Sequence, residues 1–172
     1  QGRTKPLTLI GQPRLASNVY ETMDLAYPGL RERFAFKLVF AELEPGEETR
    51  ILGLSWTGAI SEHPQPNLAL RLRDKDATLF YSGDGRPTPA THELAKGADL
   101  VVHESYTLED GTPGHGTVPG SLAFARAVGA KEIALVHIKR QVRRERRNEI
   151  FALLDAEESR PGLVTSLPEP GD

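Results

Sequence analysis

Along the first half of the chain apolar residues recur mostly at alternate positions. Residues 7–11 form a short apolar run, and 13–26 change to helical spacing through Leu15, Val19, Met23 and Ala26, closed by Tyr27-Pro28-Gly29. Phe34, Phe36, Leu38 and Phe40 then alternate with Ala35, Lys37, Val39 and Ala41, and Pro45-Gly46 marks a turn before a second run at 50–57. A third run, 67–73, alternates Leu68, Leu70 and Leu72 with Ala69 and Arg71. These runs predict an antiparallel meander. From Ala77 onward the pattern becomes strand, helix, strand, helix, strand, helix, with strands at 78–82, 100–103 and 133–137 and helices near 89–96, 118–128 and 143–154. Short apolar strands alternating with helices predict parallel strands buried under helices, hence an α/β fold. Residues 166–172 hold two prolines and a glycine and are expected to fray. With no internal repeat and no linker, 1–172 reads as a single domain.

Composition narrows the function. At 172 residues, 38% hydrophobic and 26% charged, the chain is long enough to bury a sizeable core and is not of disordered type. Its net charge of −3 excludes a global positive field that would draw in nucleic acid or an anionic membrane, so a polyanion must be held locally. No apolar run approaches the roughly 18 residues of a membrane span, and no signal peptide opens the chain, which reads as soluble, with no membrane partner. The absence of cysteine excludes disulfides, thiolate metal sites and cysteine nucleophiles and fits a cytoplasmic protein. Any metal must have nitrogen and oxygen ligands.

Four of the five histidines sit where a strand or a glycine turn delivers a side chain to one sheet edge. His63 precedes the 67–73 strand, His103 ends Leu100-Val101-Val102, His115 lies between Gly114 and Gly116, and His137 ends Ile133-Ala134-Leu135-Val136. Asp84 follows the strand 78–82 in the same way, whereas His92 lies inside a helix. Ligands of open α/β sheets bind outside the carboxyl ends of the strands. Imidazoles and a carboxylate converging there suit a divalent metal such as zinc, whose bound water reaches a pKa near 7 and makes hydrolysis the natural reaction. Taken singly, each residue has a plainer role, since a strand-end histidine is commonly structural and an Asp between glycines commonly a turn former.

Glu104 follows His103 and is better placed to orient a nearby histidine than to share a metal with His103. His115, on its glycine loop, is a candidate proton donor to a leaving oxygen. Lys139 and Arg140, just past His137, are candidates for a substrate phosphate. The run 140–147 is either a phosphate-gripping surface or a solvated helix face with Glu145 and Glu149 forming pairs. Trp56 reads as packing and Asn67 as a strand-entry turn residue.

The ordered set Ser61-Glu62-His63, Ser82-Gly83-Asp84-Gly85-Arg86-Pro87, Asp99-Leu100-Val101-Val102-His103-Glu104-Ser105, Gly114-His115-Gly116-Thr117 and Leu135-Val136-His137 resembles the metallo-β-lactamase superfamily. Within it the chain is most similar to the ribonuclease Z branch, with its Gly-Asp-Thr, His-Glu-Ala-Thr and Gly-His-Ser-Thr segments between two metal-binding histidines. The resemblance implies a metallo-β-lactamase-like αββα sandwich with two zinc ions at its edge. It makes His63 and His137 ligands of one metal each, Asp84 the bridge between the metals and part of the catalytic set, Glu104 and His115 the pair that moves a proton to the leaving group, and His103 their structural neighbour. The implied reaction is hydrolysis of a phosphodiester, RNA being a possible substrate.

The superfamily's His-x-His-x-Asp-His motif is absent from the chain and is expected to precede Gln1, making this the C-terminal portion of an incomplete sandwich that is inactive alone. An open sandwich exposes apolar strand faces, which calls for the missing segment or a partner chain, such as the second copy of a homodimer. Gly85 replaces Thr, Ser105-Tyr106 replaces Ala-Thr and Gly116 replaces Ser, and no arm of the kind that grips tRNA is inserted. These departures leave open a broader phosphodiesterase, or a non-catalytic or degenerate module that binds a partner through its arginine-rich helix.

Overall fold

The computed structural model describes residues 2–169. They form two compact units, one ending at Glu47 and the other beginning at Glu48. In the first, strand β1 (Leu7–Gly11), helix α1 (Leu15–Ala26), a short 3-10 turn (Arg31–Arg33) and strand β2 (Leu38–Glu42) follow in order. β1 and β2 pair in parallel, Leu7 against Leu38 through Gly11 against Glu42. This corrects the meander expected from residue 34 onward. A helix between two strands returns the chain in its starting direction, so β2 lies beside β1 in parallel rather than joining an antiparallel set. Phe34 and Phe36 precede the strand and stack on each other at 4.8 Å, which accounts for their alternation without a ladder.

The second unit contains β3 (Glu48–Ile51), β4 (Leu54–Ile60), β5 (Leu68–Arg73), β6 (Thr78–Tyr81), α2 (Pro89–Ala95), β7 (Leu100–Glu104), α3 (Val118–Val128), β8 (Glu132–Val136), α4 (Arg140–Glu145), α5 (Arg147–Glu158) and β9 (Val164–Ser166). The strands form one seven-stranded sheet in sequence order. β3 through β6 are antiparallel, and β6 through β9 are parallel, as the change of pattern at Ala77 predicts.

Three boundaries differ from the sequence expectation. The run 50–57 is a hairpin, because Leu52 and Gly53 both have positive φ (52° and 84°) and so close a two-residue turn whose twist matches the strands. The helix expected at 143–154 is two helices, broken at Arg146, which leaves the helical region at φ −119° and ψ 24°. Of the tail expected to fray, Ser166 belongs to β9, Glu169 pairs with Arg143 and Arg147, and 170–172 lie outside the described residues.

One face of the large sheet carries the core. Ala69, Phe80, Val101, Ile133 and Leu135 point to the helices and pack with Leu122, Phe124, Ala125, Ile150 and Leu154. Each large side chain buried this way contributes about 1.5–3 kcal/mol of transfer free energy. α3 is well specified locally: the Thr117 hydroxyl accepts from Gly120 N–H at 3.1 Å, Pro119 sits in the first turn, and Gly129 at φ 68° ends the helix. Arg71, on the same sheet face, donates to Leu94 O at 2.7 Å and Lys96 O at 2.9 Å and thereby satisfies carbonyls at the end of α2. By alternation Leu70, Leu72, Leu79, Leu100 and Val102 point from the opposite face, where they are half-buried. No helix among the described residues is long and apolar enough to cross a membrane.

Candidate active site

The carboxyl ends of β6, β7 and β8 and the loops beside them gather the polar residues. Asp84 lies in the turn after β6. Its backbone N–H donates to Asn67 Oδ1 at 3.2 Å, and its carbonyl accepts from Ser61 Oγ at 3.2 Å, while Asn67 Nδ2 also donates to Ser61 Oγ. Main-chain contacts therefore fix the turn and leave the carboxylate free to face the site. Asn67, expected only to shape a strand entry, organises this turn; its place just before an apolar run gave no hint of it.

His137 follows β8 in the left-handed region, φ 53°, which is sparsely populated for a residue with a Cβ. Its Nε2 lies 3.5 Å from Asp84 Oδ1, so two of the three expected metal ligands are adjacent. His63 is placed differently. Its ring meets the ring of His115 edge-on at 5.2 Å, and its Nδ1 sits 3.1 Å from the Gln65 carbonyl. Among the described residues no three His, Asp or Glu side chains already form a group able to hold an ion.

Glu104, the last residue of β7, is fully buried. Its backbone N–H donates to Ser82 Oγ at 2.9 Å, and its Oε1 accepts from Gly116 N–H at 2.6 Å. The other oxygen, Oε2, faces His115 Nδ1 at 3.7 Å, and neither atom has a hydrogen-bond partner among the described residues. Burial pushes the Glu104 carboxyl above the usual carboxylate range, opposed by the Gly116 amide and by His115 and His137. Buried polar atoms without partners are rare, and here two of them are aimed at each other.

Tyr106, which stands where the ribonuclease Z branch has Thr, stacks on His115 at 4.5 Å and lies 5.6 Å from the ring of His137, while His115 and His137 are themselves stacked at 5.7 Å. The tyrosine had only its departure from the branch pattern to mark it.

His103 is on the helix-facing side of β7, 2% exposed, in the core under α3. Its Nδ1 lies 2.6 Å from Glu104 O and 3.2 Å from Ser121 Oγ, and its ring contacts Phe124 at 4.9 Å. A carbonyl only accepts, so Nδ1 carries the proton. Burial, opposed by the Glu104 carbonyl and assisted by His92, lowers the His103 pKa to about 4. His103 is thus a neutral side chain that ties β7 to α3.

Lys139 and Arg140 are exposed at the start of α4. The arginines beyond them are engaged: Arg143 and Arg147 pair with Glu169, Arg144 with Glu145 at 3.0 Å, and Arg146 with Glu109 at 2.5 Å and Glu149 at 2.6 Å. Glu149 and Glu109 raise the Arg146 pKa. Of the two readings of the run 140–147, the ion-paired helix face describes positions 143–147.

A mixed sheet with helices on one face and a rim of histidines and carboxylates at its strand ends is the arrangement of a metallo-β-lactamase-type protein. The family model described as the beta-lactamase superfamily domain matches residues 1–138, and the chain belongs to the metallo-β-lactamase superfamily, on its ribonuclease Z-like side. It is 35% identical over 92 residues to the ribonuclease Z of Methanothermobacter thermautotrophicus, a match that covers 47% of this chain and 30% of that protein. It is 29% identical over 105 residues to the ribonuclease Z of Archaeoglobus fulgidus, covering 58% of this chain and 32% of that one. The chain therefore spans about a third of the length of these relatives. The metallo-β-lactamase fold protein YhfI from Bacillus subtilis superposes with a TM-score of 0.69 at 20% identity, over 95% of this chain and 62% of its own. The human short-form tRNase Z superposes with a TM-score of 0.64 at 20% identity, over 79% and 61% respectively. These likenesses establish the fold.

Proposed function

We propose that the protein is a metal-dependent hydrolase of phosphodiesters, of ribonuclease Z type, with zinc as its metal and RNA as a candidate substrate. The observation that carries this reading is the adjacency of two pairs: Asp84 with His137 at 3.5 Å, and the unpartnered Glu104 and His115 at 3.7 Å, linked by the stacked rings of His115 and His137.

The donor set fits a borderline divalent ion, since His137 Nε2 and Asp84 Oδ1 already face one another and imidazole with carboxylate is a zinc-type combination. Asp84 and His137 would hold the metal, with His63 the further ligand assigned by position in the family pattern. When bound, zinc supplies a hydroxide nucleophile at neutral pH and offsets charge on the phosphoryl oxygens. The chain's own groups do the rest. The buried Glu104 carboxyl faces His115 Nδ1 and fixes which ring nitrogen carries a proton on that side, leaving the other nitrogen to serve the leaving oxygen. Tyr106 and His137 bound the ring of His115 and limit its rotation. Lys139 and Arg140 offer positive charge beside His137 for a neighbouring phosphate. A module binding solely through the arginine helix is less well supported, because Arg143, Arg144, Arg146 and Arg147 already face carboxylates.

Elemental analysis of the purified full-length protein, followed by assay on bis(p-nitrophenyl) phosphate and on a precursor tRNA, tests the proposal. Bound zinc and zinc-dependent cleavage, abolished by chelation and restored by the metal, are expected. Cleavage by protein shown to be free of metal would overturn it.

A further inference from the structure

Arg86 stands two residues after Asp84 and has no part in the chemistry above, yet it touches three segments that carry site residues. Its main chain exchanges both hydrogen bonds with Glu62, at 2.9 and 3.0 Å, an antiparallel bridge next to His63. Its side chain crosses to the loop before α3. Nε donates to the carbonyl of His115 at 2.8 Å, and one terminal amino group donates to Thr112 O at 3.4 Å and faces Asp110 Oδ1 at 3.2 Å. One residue thus connects the segment holding His63, the turn holding Asp84 and the loop holding His115.

Among the described residues the main chain of His115 and Gly116 is otherwise held by the bond from His115 N–H to Thr112 O at 3.2 Å and the bond from Gly116 N–H to Glu104 Oε1, with the bridge between Thr107 and Thr117 following directly. Contact with the Asp110 carboxylate, 84% exposed, is largely screened by solvent. The two carbonyl contacts matter more, because a planar guanidinium with its directions fixed sets the orientation of the groups it bonds, which an ammonium does not. A carbonyl held from one side also fixes the peptide plane that follows it, and that plane bears the Gly116 N–H bound to Glu104.

We propose that Arg86 is the positioning residue of His115: its guanidinium holds the loop so that His115 Nδ1 faces Glu104 and the ring stays beside His137. The proposal rests on His115 being the proton donor of the proposed hydrolysis. It differs from a general stabilising role in its consequence, since misplacing a proton donor by about an ångström costs up to about a hundredfold in turnover without removing the substrate's binding contacts.

The test compares the full-length protein with its Arg86→Ala and Arg86→Lys variants, using zinc content, amide hydrogen exchange at His115 and Gly116, and steady-state kinetics on a phosphodiester with an alkyl leaving group. Expected are unchanged zinc content, exchange at those two amides faster by about tenfold or more, and kcat reduced about thirtyfold with KM changed by less than about threefold. Added methylguanidine restores part of the kcat of Arg86→Ala, and Arg86→Lys remains impaired. Unaltered exchange at His115 and Gly116 would overturn the proposal, as would a loss of kcat that tracks lost zinc. If the unmodified protein cleaves no phosphodiester, the hydrolase reading falls, and the exchange measurement alone decides whether Arg86 holds the loop.

Discussion

Glu104 Oε2 and His115 Nδ1 face each other across 3.7 Å with no other partner for either atom among the described residues. Such an arrangement is costly in a resting fold, and on the proposed reading the pair controls a proton. His115→Ala should therefore lower kcat by about a hundredfold or more on a diester with a poor leaving group, within the usual range for general acid catalysis. The same variant should lose far less on bis(p-nitrophenyl) phosphate, because p-nitrophenolate departs without a proton. A plot of log kcat against leaving-group pKa steepens in the variant. Equal losses on both substrates would remove His115 from the proton-donor role.

Asp84 contributes to the fold through its main chain and to the site through its carboxylate. Its N–H and C=O bond to Asn67 and Ser61, whereas its side chain is 43% exposed and faces His137. Asp84→Ala retains the main-chain bonds, so with both proteins stripped of metal its unfolding free energy should change by less than about 1 kcal/mol. Zinc content and turnover should both collapse. Urea denaturation with parallel elemental analysis checks the pair of outcomes, and a variant that keeps its zinc would sink the assignment of Asp84 as ligand.

His103 makes stability depend on pH. Its folded pKa is about 4, against an unfolded value of about 6.5. Between those values the unfolded chain binds the extra proton, so stability falls as pH is lowered through this window. From about pH 7 to about pH 5 the loss attributable to this one side chain is about 2 kcal/mol. His103→Gln, which keeps an amide able to donate to the Glu104 carbonyl, should flatten that part of the curve whatever its effect at neutral pH. Urea melts at both pH values decide it: parallel slopes in the two proteins would mean another group carries the acid sensitivity.

How much of this was legible in the sequence depended on whether the cause was local. α3 could be placed because Thr117, Pro119 and Gly129 are capping residues around an apolar stripe, and the sites of Asp84, Glu104 and His137 because short apolar strands end beside them. The parallel pairing of β1 with β2 was hidden, since it joins residues about thirty apart and an alternating run carries no record of its partner. The break at Arg146 was hidden too. Nothing in Arg-Arg-Glu-Arg-Arg disfavours a helix, and Arg146 instead pairs with Glu109, far away in sequence. In the sequence Arg86 stood out only as one position of the motif around Asp84, because its contacts are to carbonyls, which no side-chain pattern reveals.

The two glycines that replace larger residues of the ribonuclease Z pattern should respond oppositely to restoring those residues. Gly85 has φ 126°, and a Cβ there would lie 2.8 Å from Ser61 Oγ and 2.9 Å from Glu62 O. A β-branched threonine meets both a forbidden backbone region and a clash with main chain pinned by the bridge between Glu62 and Arg86. Gly85→Thr should cost about 2 kcal/mol or more and displace the turn that carries Asp84. At Gly116 a Cβ would meet Glu104 Oε1 at 3.5 Å and Glu104 O at 3.7 Å, ordinary contact distances. Gly116→Ser should therefore stay within about 1 kcal/mol of the unmodified protein. Chemical denaturation of the two variants separates them, and a Gly85→Thr protein as stable as its parent would mean that this turn adopts a different backbone in solution.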